Sequence, residues 1–350
     1  MPLKFKLFVG LAIALLILST LISPYIKFVD KTLQVSVLKT LFSKDTIKVF
    51  DEQVNILLLG ISGGDHDGPN LSDSNIVINY NFKTNTLSTI SIPRDLWSKT
   101  LQDKINSAYA YGEAKKPGRG GFALAKAEIG DVVGFPIQYA AVIDFQQFKE
   151  LIDYIGGINV VVDTSFIDKK FPIAGKENDD CDGDKEYRCR YETISFTKGT
   201  TSMDGDTALK YARSRNAEGS EGTDFSREKR QQKVIEAIKN KMVALVKKPN
   251  LKTYESLYRI INKLIKRDIS NQQMAIIVKN IFFLGNFKQK KIILDHEFFY
   301  NPPLGDDRYK GLWVLLPDDN SYDFIHQFIA CNLKGDSDCM KLKDKSKEDK

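Results

Sequence analysis

The strongest constraint on this chain is a stretch near its start, Leu7 to Ile26 (LFVGLAIALLILSTLISPYI), with no charge over 20 positions. A helix of that length rises about 30 Å, the depth of a bilayer hydrocarbon core. The sequence therefore predicts one transmembrane helix over 7–26, after a short cytoplasmic piece at 1–6. A cleaved secretory signal is the competing reading. Against it, no small-x-small site follows the run, and the run is long for a signal core. Lys4 and Lys6 precede the span while Lys27, Asp30 and Lys31 follow it. The positive-inside rule thus leans only slightly toward a cytoplasmic N-terminus and a body outside the cell membrane.

The remainder is ordinary globular sequence. Of 350 residues, 42% are hydrophobic and 27% charged, enough to bury a core and to exclude a disordered chain. The net charge of +6 is spread along the chain, which argues against nucleic acid as a partner and suits another anion. Cysteines fall in two close pairs, Cys181 with Cys189 and Cys331 with Cys339. Their spacing is not that of a zinc site. Disulfides in an oxidising compartment and free thiols in a cytoplasmic body both remain open.

Beyond a connecting segment at 27–50, the apolar run Val54 to Gly60 (VNILLLG) reads as a buried central strand. Asn75 to Tyr80 and Thr86 to Ile92 are β-rich runs joined by polar residues 81–85, a hairpin connection. Phe122 to Val133 reads as a helix ended by Gly134 and Pro136, Tyr139 to Ile143 as a strand, Phe145 to Ile155 as a helix stopped by Gly156-Gly157, and Ile158 to Val162 as a strand. This alternation predicts an α/β fold, a three-layer α/β/α sandwich around a central mixed β-sheet. Asp204 opens a helix to about Tyr211, and Asp224, as N-cap, a long one to about Lys247. Residues 168–199, charged and without apolar periodicity, read as a surface insertion in a domain spanning 51–249. Residues 250–335 hold helical patterns, a strand-like Lys291 to Leu294 and the run Gly311 to Leu316, and read as an extension packed on the same sheet. Residues 336–350 form a charged tail.

Chemistry concentrates in four places. Arg227 and Gln231 continue by helical spacing into Val234, Ile238 and Met242, which puts them on the stripe facing the core. A buried arginine costs several kcal/mol unless it meets a carboxylate or an anion, and a helix N-terminus itself favours phosphate. Arg213 and Arg215 lie two apart at a helix end, and Arg94 follows a predicted inner strand. Singly, each arginine is more often a surface or ion-paired residue. Together, Arg94, Arg213, Arg215, Arg227 and Arg230 suit a pyrophosphate, whose oxygens planar guanidinium forks bind in pairs. Asp73, with Asp65, His66 and Asp67 on a preceding glycine-rich loop, could hold Mg²⁺ with substrate phosphates, or form a solvated turn.

The motifs, in order, are VNILLLG (54–60), LSDS (71–74), SIPRDLW (91–97), KINSAYAYG (104–112), DYIGGINVVVD (153–163), DGDTALKYARSR (204–215) and DFSREKRQQ (224–232). In this order the chain resembles the LytR-CpsA-Psr family of cell-wall ligases. The resemblance implies a single-pass protein with an extracytoplasmic body and a pocket for a polyprenyl pyrophosphate. It also implies transfer of a glycopolymer phosphate from that lipid carrier to peptidoglycan, with Mg²⁺. By residue it matches Arg94, Arg213, Arg215, Arg227 and Gln231 to the pyrophosphate and Asp73 to the metal; Lys104 and Arg230 join the expected pyrophosphate set, and Arg94, Asp95 and Asp73 form the expected catalytic set. Two departures stand out. Leu71 occupies a usual arginine position, and Ile61-Ser62-Gly63-Gly64 replaces an aspartate after the first strand, leaving Asp67 or Asp65 as the second metal carboxylate. Asp95 or a metal-loop aspartate would take the acceptor proton. The strands at 56–59 and 76–78 or the helix at 145–155 would line a channel for the lipid tail, though core packing explains them as well. Two rivals share the pocket: a pyrophosphate hydrolase, and a non-catalytic lipid or wall binder.

Overall fold

The computed structural model of the chain describes residues 3–42, 47–63, 68–176, 178–248, 250–283, 288–318, 320–336 and 339. The expected apolar runs form β1 (Gln53–Ile61), β2 (Ser72–Asn81) and β3 (Thr86–Ile92), an antiparallel meander with Leu58 opposite Ile76 and Val77 opposite Ile90. The β2–β3 turn is set locally. The Asn81 side chain accepts from the amides of Lys83 and Thr84, and Asn85 takes φ +50°, a conformation asparagine tolerates.

β4 (Tyr139–Asp144) lies parallel to β1. Both edge strands come from late in the chain: β5 (Lys266–Arg267) pairs with β4, and β6 (Lys288–Ile293) runs parallel to β3. The mixed sheet has the order β5-β4-β1-β2-β3-β6, so residues after 250 are integral to it. Because β1, β3, β4 and β6 share a direction, their C-terminal ends, Ile61, Ile92, Asp144 and Ile293, define one edge. In α/β folds that edge is where ligands sit.

The helices are α1 (Leu3–Lys27), α2 (Val37–Phe42), α3 (Ala108–Lys115), α4 (Gly120–Val133), α5 (Phe145–Tyr154), α6 (Gly205–Arg213), α7 (Asp224–Val246), α8 (Leu251–Leu264), α9 (Asn271–Phe283) and α10 (Asp323–Lys334). One face of the sheet, through Leu57, Leu59 and Val77, packs on Ile129 and Val132 of α4 and Ile325 and Ile329 of α10. On the other side α5 to α8 form a second core through Ile152, Tyr211, Val234 and Leu257, and α9 covers Tyr80 and Tyr139. The expected sandwich is observed. β1 is apolar on both faces, yet Leu57 and Leu59 are buried while Ile56 and Leu58 are only half-buried. A strand covered on both faces reads as a continuous apolar run, and the half-burial marks a space left in that second covering layer.

Helix α1 runs through the expected span, is long and apolar enough to cross a membrane, and its side chains from Leu7 to Ile22 are uncovered by the body.

Two local expectations change. The long helix is capped by Thr223, whose Oγ1 accepts from the Ser226 amide at 3.1 Å, so Asp224 falls in the first turn. Residues 166–172 and 191–196 pair as a ribbon that buries Phe166, Asp168, Phe171, Ile194 and Phe196, leaving only 173–190 as surface insertion. A register shift between Asp168 and Phe171 breaks the two-residue alternation, which hid this strand from the periodicity argument. Both cysteine pairs are disulfides, Cys181–Cys189 and Cys331–Cys339. The Cys181–Cys189 bridge closes a loop with a sequence separation of 8. Replacing both cysteines by serine should cost about 2.5 kcal/mol, from the entropy the small loop returns to the unfolded chain. Denaturant unfolding of the variant against the parent reads this directly.

Candidate pyrophosphate site

A cavity of about 670 Å³ opens at the shared sheet edge, between β1, β2 and β4 on one side and α5, α6 and α7 on the other. Its lining combines two chemistries. Asp73, Arg94, Arg213, Arg215, Arg227 and Gln231 supply charged and polar groups. Leu58, Ile76, Ile143, Phe148, Leu209 and Ile238 are among its apolar side chains. Both sets proposed for a lipid channel contribute, Leu58, Leu59 and Ile76 from the sheet and Phe145, Phe148 and Leu151 from α5.

Each cation reaches the cavity by its own route. Arg94 follows β3 and donates to Asp73, which also accepts from Ser62 Oγ at 3.1 Å. Arg227 sits in the first turns of α7, 4% exposed, with Nη1 2.9 Å from Asp224. Burial, reinforced by Arg215 and Arg94, pulls its pKa below the usual arginine value, while Asp224 and Asp73 oppose. The buried Nε atoms of Arg94 and Arg227 have no hydrogen-bond partner among the described residues. Donors of this kind are costly to bury and are satisfied by an anion. Arg213, the last residue of α6, lies with its guanidinium 4.0 Å from the centre of the Phe145 ring, a cation–π contact that holds the fork in place. Arg215 is half-exposed, its Nε 3.1 Å from Asp224.

Several expected ligands are placed elsewhere. Arg230 is buried and donates to the carbonyls of Tyr211, Ser214 and Glu221 and to the Glu221 carboxylate at 2.8 Å. It does not line the cavity; four of its five N–H donors hold Tyr211, Ser214 and Glu221, around the loop that carries Arg213 and Arg215. Lys104 lies outside the wall as well, with Nζ 2.8 Å from Asp95. Asp95 is 4% exposed, shared between Lys104 and Arg94 Nε at 3.7 Å, and also absent from the wall. Its geometry suits orienting Arg94 rather than taking a proton from an acceptor. Asp65, His66 and Asp67 lie outside the described residues. Leu71, at the family's usual arginine position, lines the cavity as an apolar side chain.

The residue that sequence reasoning missed is Asp168. Fully buried, it accepts from Ser214 Oγ at 2.7 Å and from the Arg215 and Asn216 amides at 3.2 and 3.1 Å. It clamps the arginine loop from below as Arg230 does from the side. Asp144 lines the cavity too while capping α5 by accepting from the Gln147 amide at 2.7 Å. An aspartate just before a predicted helix was the available signal for it; Asp168 left none.

Behind Arg227, Glu228 is 4% exposed with Oε2 unpartnered among the described residues. Burial, with Asp224, Asp295 and Asp95 adding to it and Arg227 opposing, raises its pKa well above 4.5. The folded state then holds a proton the unfolded chain has released, so this contribution to stability is whole below pH 4.5 and is lost as pH rises toward the folded pKa. Glu228→Gln should accordingly raise the thermal midpoint more at pH 8 than at pH 5, and equal shifts would refute the buried acid.

The LytR_cpsA_psr family profile matches residues 29–323. A Bacillus cereus protein named polyisoprenyl-teichoic acid--peptidoglycan teichoic acid transferase TagU is 30% identical over 285 residues, covering 80% of this chain and 79% of its own length. The protein of that name from Bacillus mycoides is 29% identical over 284 residues with the same coverages. Among solved structures, B. subtilis TagV superposes with a TM-score of 0.57 at 24% identity, covering 82% of this chain and 99% of that one. TagT bound to LIIa-WTA gives 0.54 at 22%, covering 83% and 96%. These likenesses show a common fold.

Proposed function

Because the chain belongs to the LytR_cpsA_psr family, we propose that it is a single-pass membrane phosphotransferase that attaches a glycopolymer to peptidoglycan. The donor is a polyprenyl pyrophosphate-linked glycan, and polyprenyl phosphate is released. The observation that carries this reading is one cavity whose lining brings together several guanidinium groups and many apolar side chains. A pyrophosphate and the first isoprene units of its lipid need those two surfaces together. The body is extracytoplasmic. Two disulfides support this orientation, since such bridges persist in oxidising compartments.

In the reaction, an acceptor hydroxyl of the wall attacks the phosphorus nearer the glycan, and the bond to the lipid phosphate breaks. Arg94, Arg213, Arg215 and Arg227 neutralise charge on both phosphates, as positioning and electrostatics do in phosphoryl transfer generally. Mg²⁺ would be held by Asp73, a carboxylate that lines the cavity, accepts from the Ser62 hydroxyl and pairs with Arg94, since Mg²⁺ takes one or two carboxylates plus substrate phosphates. Bound there, it supplies further neutralisation of the pyrophosphate. Asp73→Asn should lower transfer about 100-fold and erase the rise in thermal midpoint that Mg²⁺ adds in the presence of donor.

The deciding experiment incubates the purified full chain with labelled lipid-linked glycan, with and without peptidoglycan. Label moving to peptidoglycan, lost in Arg94→Ala, is the expected result. Lipid phosphate released equally without acceptor would make the protein a hydrolase instead, and no turnover at all a binder.

A further inference from the structure

Helix α2 is built the wrong way round for a helix on a water-facing surface. Its apolar residues Val37, Leu38, Leu41 and Phe42 all face outward, Leu38 70% and Phe42 80% exposed. The residues it turns to the body are polar. Ser36 N donates to the Gln272 side chain at 2.8 Å, Gln272 Nε2 donates to Thr40 Oγ1 at 2.8 Å, and Lys279 Nζ donates to Thr40 O at 2.9 Å, all from α9. An amphipathic helix in water buries its apolar stripe. This one hydrogen-bonds its polar side to the protein and presents the stripe.

The position of α2 names what covers the stripe. The anchor α1 ends at Lys27, ten residues before α2 begins. The intervening chain has little slack. Tyr25 packs edge-on against Tyr254 and Phe28 against Tyr258 of α8, Val35 is buried, and Asn271 Nδ2 holds the Leu33 carbonyl at 2.8 Å. A turn fixed to the body this close to a transmembrane helix is held at the bilayer surface. Exposed Lys31 precedes it and exposed Lys39 lies within it, as basic residues accompany apolar segments seated among anionic headgroups.

We infer that α2 is a membrane-embedded foot, with Leu38, Leu41 and Phe42 inserted at the acyl boundary of the leaflet the body faces. Together with the anchor it gives two fixed points of attachment, and so sets how the body sits on the bilayer. The consequence reaches the cavity, because α8, on which the anchor rests, is followed directly by Ile265 in the cavity wall. The foot therefore orients the apolar lining relative to a lipid-borne substrate. This rests on membrane anchoring, and only its second test depends on the transfer reaction.

The first test reconstitutes the full chain with Phe42→Trp into phosphatidylcholine–phosphatidylglycerol vesicles. The added emission, relative to the parent with Trp97 and Trp313, should be quenched by acyl-brominated phosphatidylcholine and spared by iodide. Quenching by iodide with none from the brominated lipid overturns the inference, and is what a surface awaiting a protein partner would give. The second test uses Leu38→Glu with Leu41→Glu. Neither residue touches the cavity, so turnover of a short-chain donor in detergent should match the parent, while turnover of a vesicle-embedded donor should fall about fivefold as its effective concentration at the cavity drops. Equal turnover of the embedded donor, or equal loss with both donors, overturns it. A parent chain inactive toward both donors would count against the transfer reaction and not against the foot, which the fluorescence result then decides alone.

Discussion

Arg227→Met should reduce glycopolymer transfer by about 10²–10³-fold, the cost of deleting one preorganised charge donor at a reacting phosphate, without weakening the ligand-free protein. The two halves have one cause. Arg227 is 4% exposed with a single carboxylate partner, and its Nε is unpartnered among the described residues. Its neighbours Arg94 and Arg215 add repulsion. A buried charge crowded by two like charges gains little from its one partner, and removing it is costly only where that partner is left unpaired. Asp224 keeps Arg215 at 3.1 Å and is not orphaned by the change. The measurement pairs a transfer assay with thermal unfolding in the absence and presence of donor. The parent should gain stability from donor and the variant should not. A variant that melts many degrees below the parent without donor would show that Arg227 serves the core.

Arg230→Ala should do the reverse, removing about 3–5 kcal/mol of stability by breaking a buried charge pair and impairing transfer only secondarily. Arg230 donates to three backbone carbonyls and to Glu221, and its guanidinium lies 4.9 Å from the centre of the Phe166 ring. Truncation strands all of these acceptors in a buried place. Arg230→Lys should recover little, because a single ammonium cannot replace a five-donor fork. The informative readout is the split in kinetics. Because Arg230 fixes the loop of Arg213 and Arg215, whatever activity survives should show a raised donor KM with less change in kcat. Parental stability with lost donor binding would return Arg230 to the ligand set. Two arginines three residues apart on one helix thus have opposite expected signatures.

Much of this was readable along the chain. The strands at 54–60, 75–80, 86–92 and 139–143 lie within the observed ones, β2 starting three residues earlier, at Ser72, because each is a local apolar run closed by turn formers. The helix stops at Gly134 and after Tyr154 follow from local backbone preference in the same way. The inward stripe of Arg227, Gln231, Val234 and Ile238 lines one cavity, as helical spacing required. What failed to show was whatever depends on a distant partner. The ribbon at 166–172 carries a register shift, so its alternation vanishes. Asp168 looks like any charged surface residue until the loop at 214–216 folds over it.

The sequence by itself determined that this protein has a helix long and apolar enough to span a membrane, an α/β body and a concentration of arginines at strand and helix ends, since all three depend on residue type and short-range spacing. Only the tertiary structure decided which guanidiniums line the cavity and which hold the frame. Arg227 and Arg230 have the same chemistry and the same local helix. One turns toward a cavity lined by Asp73 and Arg94, and the other toward carbonyls of a loop that packs there only when the chain is folded.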